Sequence, residues 1–364
     1  MLTRMHPKLR FLIAGLAFVV VNLAHAAPLR IASAFDPQTM DPHALALLYH
    51  SRVWTQVYES LVGRDEKFQL EPALALSWQA TSPTSWRFKL RPGVTFHDGA
   101  PFTADDVVFS VERALAPPSQ RGFQLKGVKA ARKVDDLTVE FTLDAPEAVL
   151  PEKLQGVAIM NKAWALKNAA EKAQDFNAKQ EMFTVRNANG TGPYVLDRFE
   201  PDVRTLLKRN PKWWGWADKR SGNADEVSLI AIRSDATRLA ALVSGEVDFV
   251  FDPPFQDVER LKREANIALT QVPDLGQQYL TFDQSRDELE GSDIKGRNPF
   301  KDLRVRRAVY HAINADLITQ KVLRGLATPT GGLLSPRVDG SPADLDKRAP
   351  FDPAKARSRS PASR

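Results

Sequence analysis

Around Gly245 the hydrophobic period of the chain changes within a few residues, and that change constrains the fold more than any other local feature. Leu239, Leu242 and Val243 share one face of a helix expected over Ala236 to Ser244. Gly245 is able to adopt the left-handed backbone that ends a helix, and beyond it Val247, Phe249 and Phe251 alternate as one side of a strand does. A helix delivered straight into a strand belongs to layered α/β architectures, in which helices cover a sheet.

The same reading extends in both directions. Leu29 to Ser33 reads as a first buried strand, followed by a loop from Phe35 to His43 holding Pro37 and Pro42, and then by a helix over Ala44 to Leu61. Two period-two runs, Trp86-Phe88-Leu90 and Val139-Phe141-Leu143, mark half-buried strands. Between them Thr103 and Asp106 have capping-box spacing, with Val108, Val111 and Leu115 on one helical face, and Pro117-Pro118 closes that helix. A polar helix is expected over Lys162 to Lys179, a strand over Tyr279 to Phe282, and a helix after Asp302 that buries Val305, Ala308, Val309, Ala312 and Ile313. With 364 residues, 43% hydrophobic and 26% charged, the chain has material for two or three lobes.

The first residues carry Arg4, Lys8 and Arg10, then the apolar run Phe11 to Val21, then Ala24-His25-Ala26. This is the pattern of a secretory signal peptide over residues 1–26, the apolar run falling short of the roughly 20 residues needed to span a bilayer. The sequence contains no cysteine, so it offers neither disulfides nor a lipidation site, and export to the periplasm is expected. Of the formal charge of +6, those three N-terminal cations account for half, leaving +3 after cleavage. Dispersed basic residues on an exported chain exclude nucleic acid as the expected partner.

Six phrases carry a specific resemblance: Tyr58-Glu59-Ser60-Leu61; Pro72-Ala73-Leu74-Ala75 with Ser77-Trp78; the run from Trp86 to Ser110; Gly190-Thr191-Gly192-Pro193-Tyr194; Ser244-Gly245-Glu246-Val247-Asp248; and Asn298 to Arg306. In this order they resemble the extracellular solute-binding proteins of family 5. The resemblance implies an α/β, two-lobed periplasmic-binding-protein-like fold of type II with an extra inserted domain. Mapped onto this chain, lobe I takes residues 27–65 and 186–275, the inserted domain 66–185, and an incomplete lobe II 276–356. It further implies a monomer that binds a small-molecule or peptide ligand between its lobes and delivers it to an inner-membrane ABC permease; no cofactor is expected, and the scattered histidines make a metal site unexpected although the family includes nickel binders.

By matching position, the resemblance makes Phe35, Phe251, Asp252, Gln277, Gln278 and Tyr279 candidate ligand contacts. Rings would supply apolar area, and amide or carboxylate groups would orient the ligand. The competing reading places Phe35 and Phe251 in the core and leaves the glutamines satisfying backbone. Trp213, Trp214 and Trp216 read as packing within the first lobe, His97-Asp98-Gly99 as a tight turn, and Arg304, Arg306 and Arg307 as a solvated helix face. The histidines lack ligand spacing, and no Ser/His/Asp or Cys/His arrangement suggests an enzyme.

Asp352-Pro353 starts a helix well, but residues 357–364 read Arg-Ser-Arg-Ser-Pro-Ala-Ser-Arg, where the family continues with apolar sequence. That departure implies a disordered tail and a shortened second lobe. It leads to the expectation of a chain that binds no peptide with useful affinity, the alternative to a working binding protein being a non-functional, frameshifted remnant.

Overall fold

The computed structural model describes residues 28–217, 222–272, 274–336, 338, 341–342, 344 and 346–359. The expected signal peptide over residues 1–26 lies outside the described residues, as do residues 360–364 of the tail. Two units divide the chain, one through Asp252 and one from Pro253.

In the first unit, strand β1 (Leu29–Ser33) runs through a buried loop into helix α1 (Leu48–Val57), and the ribbon β2 (Val62–Arg64) and β3 (Leu70–Pro72) follows. Strands β4 (Ala75–Ser82), β5 (Ser85–Leu90), β6 (Val128–Asp135) and β7 (Thr138–Leu143) then form an antiparallel sheet in the order β4-β5-β7-β6. Helix α2 (Ala104–Leu115) covers it, and two short helices follow, α3 (Leu150–Leu154) and α4 (Lys162–Lys167). Phe88, Phe141, Val107, Val111, Ala114 and Leu150 close this core. The buried face of α2 is thus centred on Val107, Val111 and Ala114, with Val108 and Leu115 at its margin.

The capping spacing at the start of α2 does what its chemistry dictates. Asp106 Oδ2 accepts the Thr103 backbone N–H at 2.9 Å and the Thr103 hydroxyl at 3.2 Å. Its other oxygen accepts the Lys162 N–H at 2.9 Å, so one carboxylate joins the starts of α2 and α4. Thr103→Ala is expected to lower the unfolding free energy by about 1 kcal/mol in urea titration, the usual cost of a lost cap; an unchanged midpoint would show that the hydroxyl contributes nothing.

A second sheet is built from β1 together with β8 (Tyr194–Glu200), β9 (Arg204–Arg209), β10 (Glu226–Ala231) and β11 (Phe249–Val250), in the order β11-β1-β10-β9-β8. Here β1 is flanked by parallel strands on both sides, with Ile31 opposite Leu229 of β10 and Phe249 of β11. Helix α5 (Asp235–Ser244) makes the crossover between those two flanking strands and ends at Gly245, whose φ is 77°. The change of period at Gly245 is therefore real, but the strand is shorter than the alternation suggests. Val247 is buried with Ala32 and Ala241, whereas Phe249 is 46% exposed and packs edge-to-face on Phe251 at 4.9 Å.

Two helices expected from composition are cut short by competing hydrogen bonds. Helix α1 starts at Leu48 because the preceding residues turn around Asp41, which accepts the His43 N–H at 3.0 Å. It ends at Val57 because that carbonyl accepts the Gly192 N–H at 2.9 Å. A Cβ on Gly190 would lie 2.0 Å from the same carbonyl oxygen, so only glycine permits this approach. The polar stretch after Lys162 is helical only to Lys167, because Arg113 takes the carbonyls of Ala170 and Lys172 and Asp41 takes the Gln174 N–H.

In the second unit lie α6 (Val258–Leu261), α7 (Leu303–Ala312), α8 (Ala315–Lys321) and α9 (Pro353–Arg359). The expected strand over Tyr279 to Phe282 does not form, and Tyr279 and Leu280 are 63% and 69% exposed. Asp302 caps α7 by accepting the Arg304 N–H at 2.8 Å. Of the arginines read as a solvated face, Arg306 instead turns back to donate to the Phe300 carbonyl. Helix α9 packs on α7 with Ala356 buried, is capped by Asp352, and takes in residues 357–359 of the tail.

Candidate functional site

At the carboxyl ends of the three parallel strands β1, β10 and β11 the first unit has a shallow recess. Ser33, Ala231 and Phe251 reach it from those strand ends, and Tyr49, Arg52 and Val53 from one face of α1. Open α/β sheets bind ligands beyond the carboxyl ends of their parallel strands, where crossovers leave a crevice. The three α1 residues are spaced three and four apart, so the helix presents them together.

Aromatic and charged side chains both line this recess. Phe35, 62% exposed, stacks on Tyr49 with ring centroids 5.3 Å apart and planes 23° apart. The Arg52 guanidinium lies 4.4 Å from the centroid of the Phe251 ring and donates to Asp252 at 2.6 and 3.4 Å. Asp252 has a left-handed backbone, φ 52°, which Asp tolerates better than most residues. The loop is held from behind by Asp36, which accepts the Gln38 N–H at 2.9 Å and the Asp202 N–H at 2.7 Å. Burial pushes the Asp36 carboxyl up, against these two N–H donors, and burial likewise pushes the Tyr49 phenol up.

Of the candidate contacts, the structure brings Phe35, Phe251 and Asp252 to one place, and neither ring is core. Gln277, half-buried, Gln278 and Tyr279, both exposed, lie in coil of the second unit. Tyr49 and Arg52 were not singled out by the sequence, although their i, i+3 spacing with Val53 beside them was a usable signal once the helix was assigned.

The tryptophan cluster is structural. Trp213 and Trp214 donate their indole N–H groups to opposite oxygens of Glu59 at 3.0 and 3.2 Å, and Trp216 donates to the Asn210 carbonyl at 2.6 Å. His97 shares that role: its Nε2 lies 3.1 Å from the Gly192 carbonyl, which also accepts from Asn210, so this nitrogen carries the proton. Burial pulls the His97 ring below its usual range. Among the described residues no group of three or more His, Cys, Asp or Glu is placed to hold a metal.

Residues 69–359 match the profile of the bacterial extracellular solute-binding proteins, family 5. The chain is 28% identical over 322 residues to the glutathione-binding protein GsiB of Shigella flexneri, covering 88% of this chain and 58% of that protein. Over 337 residues it is 28% identical to GsiB of Pectobacterium atrosepticum, covering 92% and 60%. It therefore spans about three-fifths of the length of these relatives. The periplasmic binding protein DppA of Helicobacter pylori, solved with the peptide STSA, superposes with a TM-score of 0.76 at 25% identity, covering 92% of this chain and 65% of that one.

Proposed function

The chain belongs to the bacterial extracellular solute-binding proteins of family 5, a family of binding proteins rather than enzymes, and from this we propose that it is the periplasmic binding component of an ABC importer. Its ligand is a di- or oligopeptide, captured reversibly and handed to an inner-membrane permease. Residues 27–65 and 186–275 form the first lobe, 66–185 the inserted domain, and the second lobe begins near Gly276. Gln277, Gln278 and Tyr279 are contacts on sequence position alone.

The observation that carries this reading is the recess at the ends of β1, β10 and β11, lined by the Phe35–Tyr49 stack and by Arg52 lying over the Phe251 ring. Such a wall offers apolar contact area and one orienting charge, and it presents no nucleophile with an adjacent base. The peptide complex of DppA and the glutathione-binding relatives support a peptide-class ligand.

Isothermal calorimetry of residues 27–364 against glutathione and a set of di- to pentapeptides tests the reading. Saturable one-to-one binding to at least one of them is the expected result on this reading, and it would overturn the expectation, drawn from residues 357–364, of a chain without useful peptide affinity. Heats indistinguishable from dilution for all of them, from a protein with a cooperative unfolding transition, would overturn it in favour of a chain that folds without capturing a peptide.

A further inference from the structure

Arg52 and Asp252 form an asymmetric pair. The arginine side chain is 25% exposed and the aspartate 74% exposed. Arg52 is fixed on two sides, by its place on α1 and by the Phe251 ring beneath its guanidinium, whereas Asp252 stands in solvent beyond the end of β11. Water screens an ion pair with so exposed a partner, and the aspartate gains little from staying. A planar guanidinium lying on a ring keeps its donor edge in one direction, and that edge matches any carboxylate in bidentate fashion. The same recess carries the Phe35–Tyr49 stack, with Phe35 largely uncovered.

We propose that Arg52 is a ligand-carboxylate anchor and Asp252 its displaceable counter-ion, so that the site takes an acid whose apolar or aromatic part lies against Phe35 and Tyr49. The inference rests on the binding role proposed above and names the ligand chemistry of that same recess. Asp252 swings into solvent as the ligand carboxylate arrives, and the guanidinium exchanges one carboxylate for another without ever being left unpaired. A neutral ligand would have to leave the existing pair intact and would gain only the aromatic wall.

The experiment titrates the dipeptide Ala-Phe and its C-terminal amide into three proteins: the unaltered chain, Arg52→Gln and Asp252→Asn. Arg52→Gln is expected to weaken the acid roughly tenfold to a hundredfold, the range for a lost charged hydrogen-bonding partner, and to leave the amide within about twofold. Asp252→Asn is expected to tighten the acid severalfold by removing its competitor, again without moving the amide. Thermal unfolding of each variant checks that the fold is intact. Equal losses for acid and amide in Arg52→Gln, or an acid that binds less well to Asp252→Asn, would overturn the anchor while leaving the binding role standing. Absence of acid binding to all three proteins would overturn the anchor, and the binding role falls with it only if the calorimetric panel of glutathione and peptides is silent as well.

Discussion

Arg113→Met is expected to destabilise the first unit by about 3–5 kcal/mol, read as a lowered midpoint in urea unfolding, because it strands a buried carboxylate. Arg113 and Asp41 are both 0% exposed and meet through two hydrogen bonds of 2.9 and 2.6 Å. The same arginine donates to the carbonyls of Ala170 and Lys172, and the same aspartate accepts from the His43 N–H, the Gln174 N–H and the Thr184 hydroxyl. Removing the cation therefore leaves a negative charge with only neutral donors and frees carbonyls in a dry interior. Burial alone would raise the Asp41 carboxyl, but Arg113 and the surrounding donors hold it well below the usual range of 3.8. Its contribution is accordingly present at neutral pH and lost as the solution is acidified below about 4. A variant with an unchanged midpoint at pH 7 would show that the pair contributes no net stability.

Glu59 carries the second prediction, with the opposite sign. The residue is half-buried, yet both carboxylate oxygens are taken by indoles. Burial outweighs the help of Thr191, Trp213, Trp214 and nearby Arg91 and pushes this carboxyl up from 4.5 to about 7. Between those values the folded protein keeps a proton that the unfolded chain releases, so stability falls as pH rises through that window and the full loss stands above it. The full shift corresponds to about 3 kcal/mol. Burial holds His43 and His50 down to about 3 and 4 from 6.5, and these two lose stability as pH falls. The difference between the unaltered protein and Glu59→Gln cancels both histidines. That difference is expected to move by about 2–3 kcal/mol in favour of the variant between pH 4.5 and 8, measured by denaturant unfolding at fixed ionic strength. A difference flat with pH would sink the assignment of a raised Glu59.

Features written into neighbouring residues were legible in the sequence. The helix stop at Gly245, the Thr103–Asp106 cap and the Asp302 cap each need only a few consecutive side chains and their own backbone. Phe35 and Phe251 were legible as a pair through family likeness, because each follows a strand of the same sheet. What the sequence concealed depends on distant partners. Nothing near Lys162 announces that Arg113 will claim the next carbonyls, so a polar stretch of good helix formers reads longer than it folds. Tyr279 to Phe282 has strand composition, but pairing needs a neighbour that composition does not supply. Arg52 was not legible in the sequence, since its meaning comes from a phenylalanine about two hundred positions away.

The loop that carries Phe35 is pinned at both ends, by Asp36 to the Asp202 amide and by Asp41 to Arg113. Its conformational freedom has therefore already been surrendered during folding, and a ligand meeting Phe35 has little disorder left to remove. Loops at binding sites commonly become ordered when the ligand arrives, which weakens capture by the entropy lost. This wall is rigid beforehand, so its contribution to binding should be governed by how well a ligand fits it, and a poor fit will not be rescued by the loop closing around the ligand.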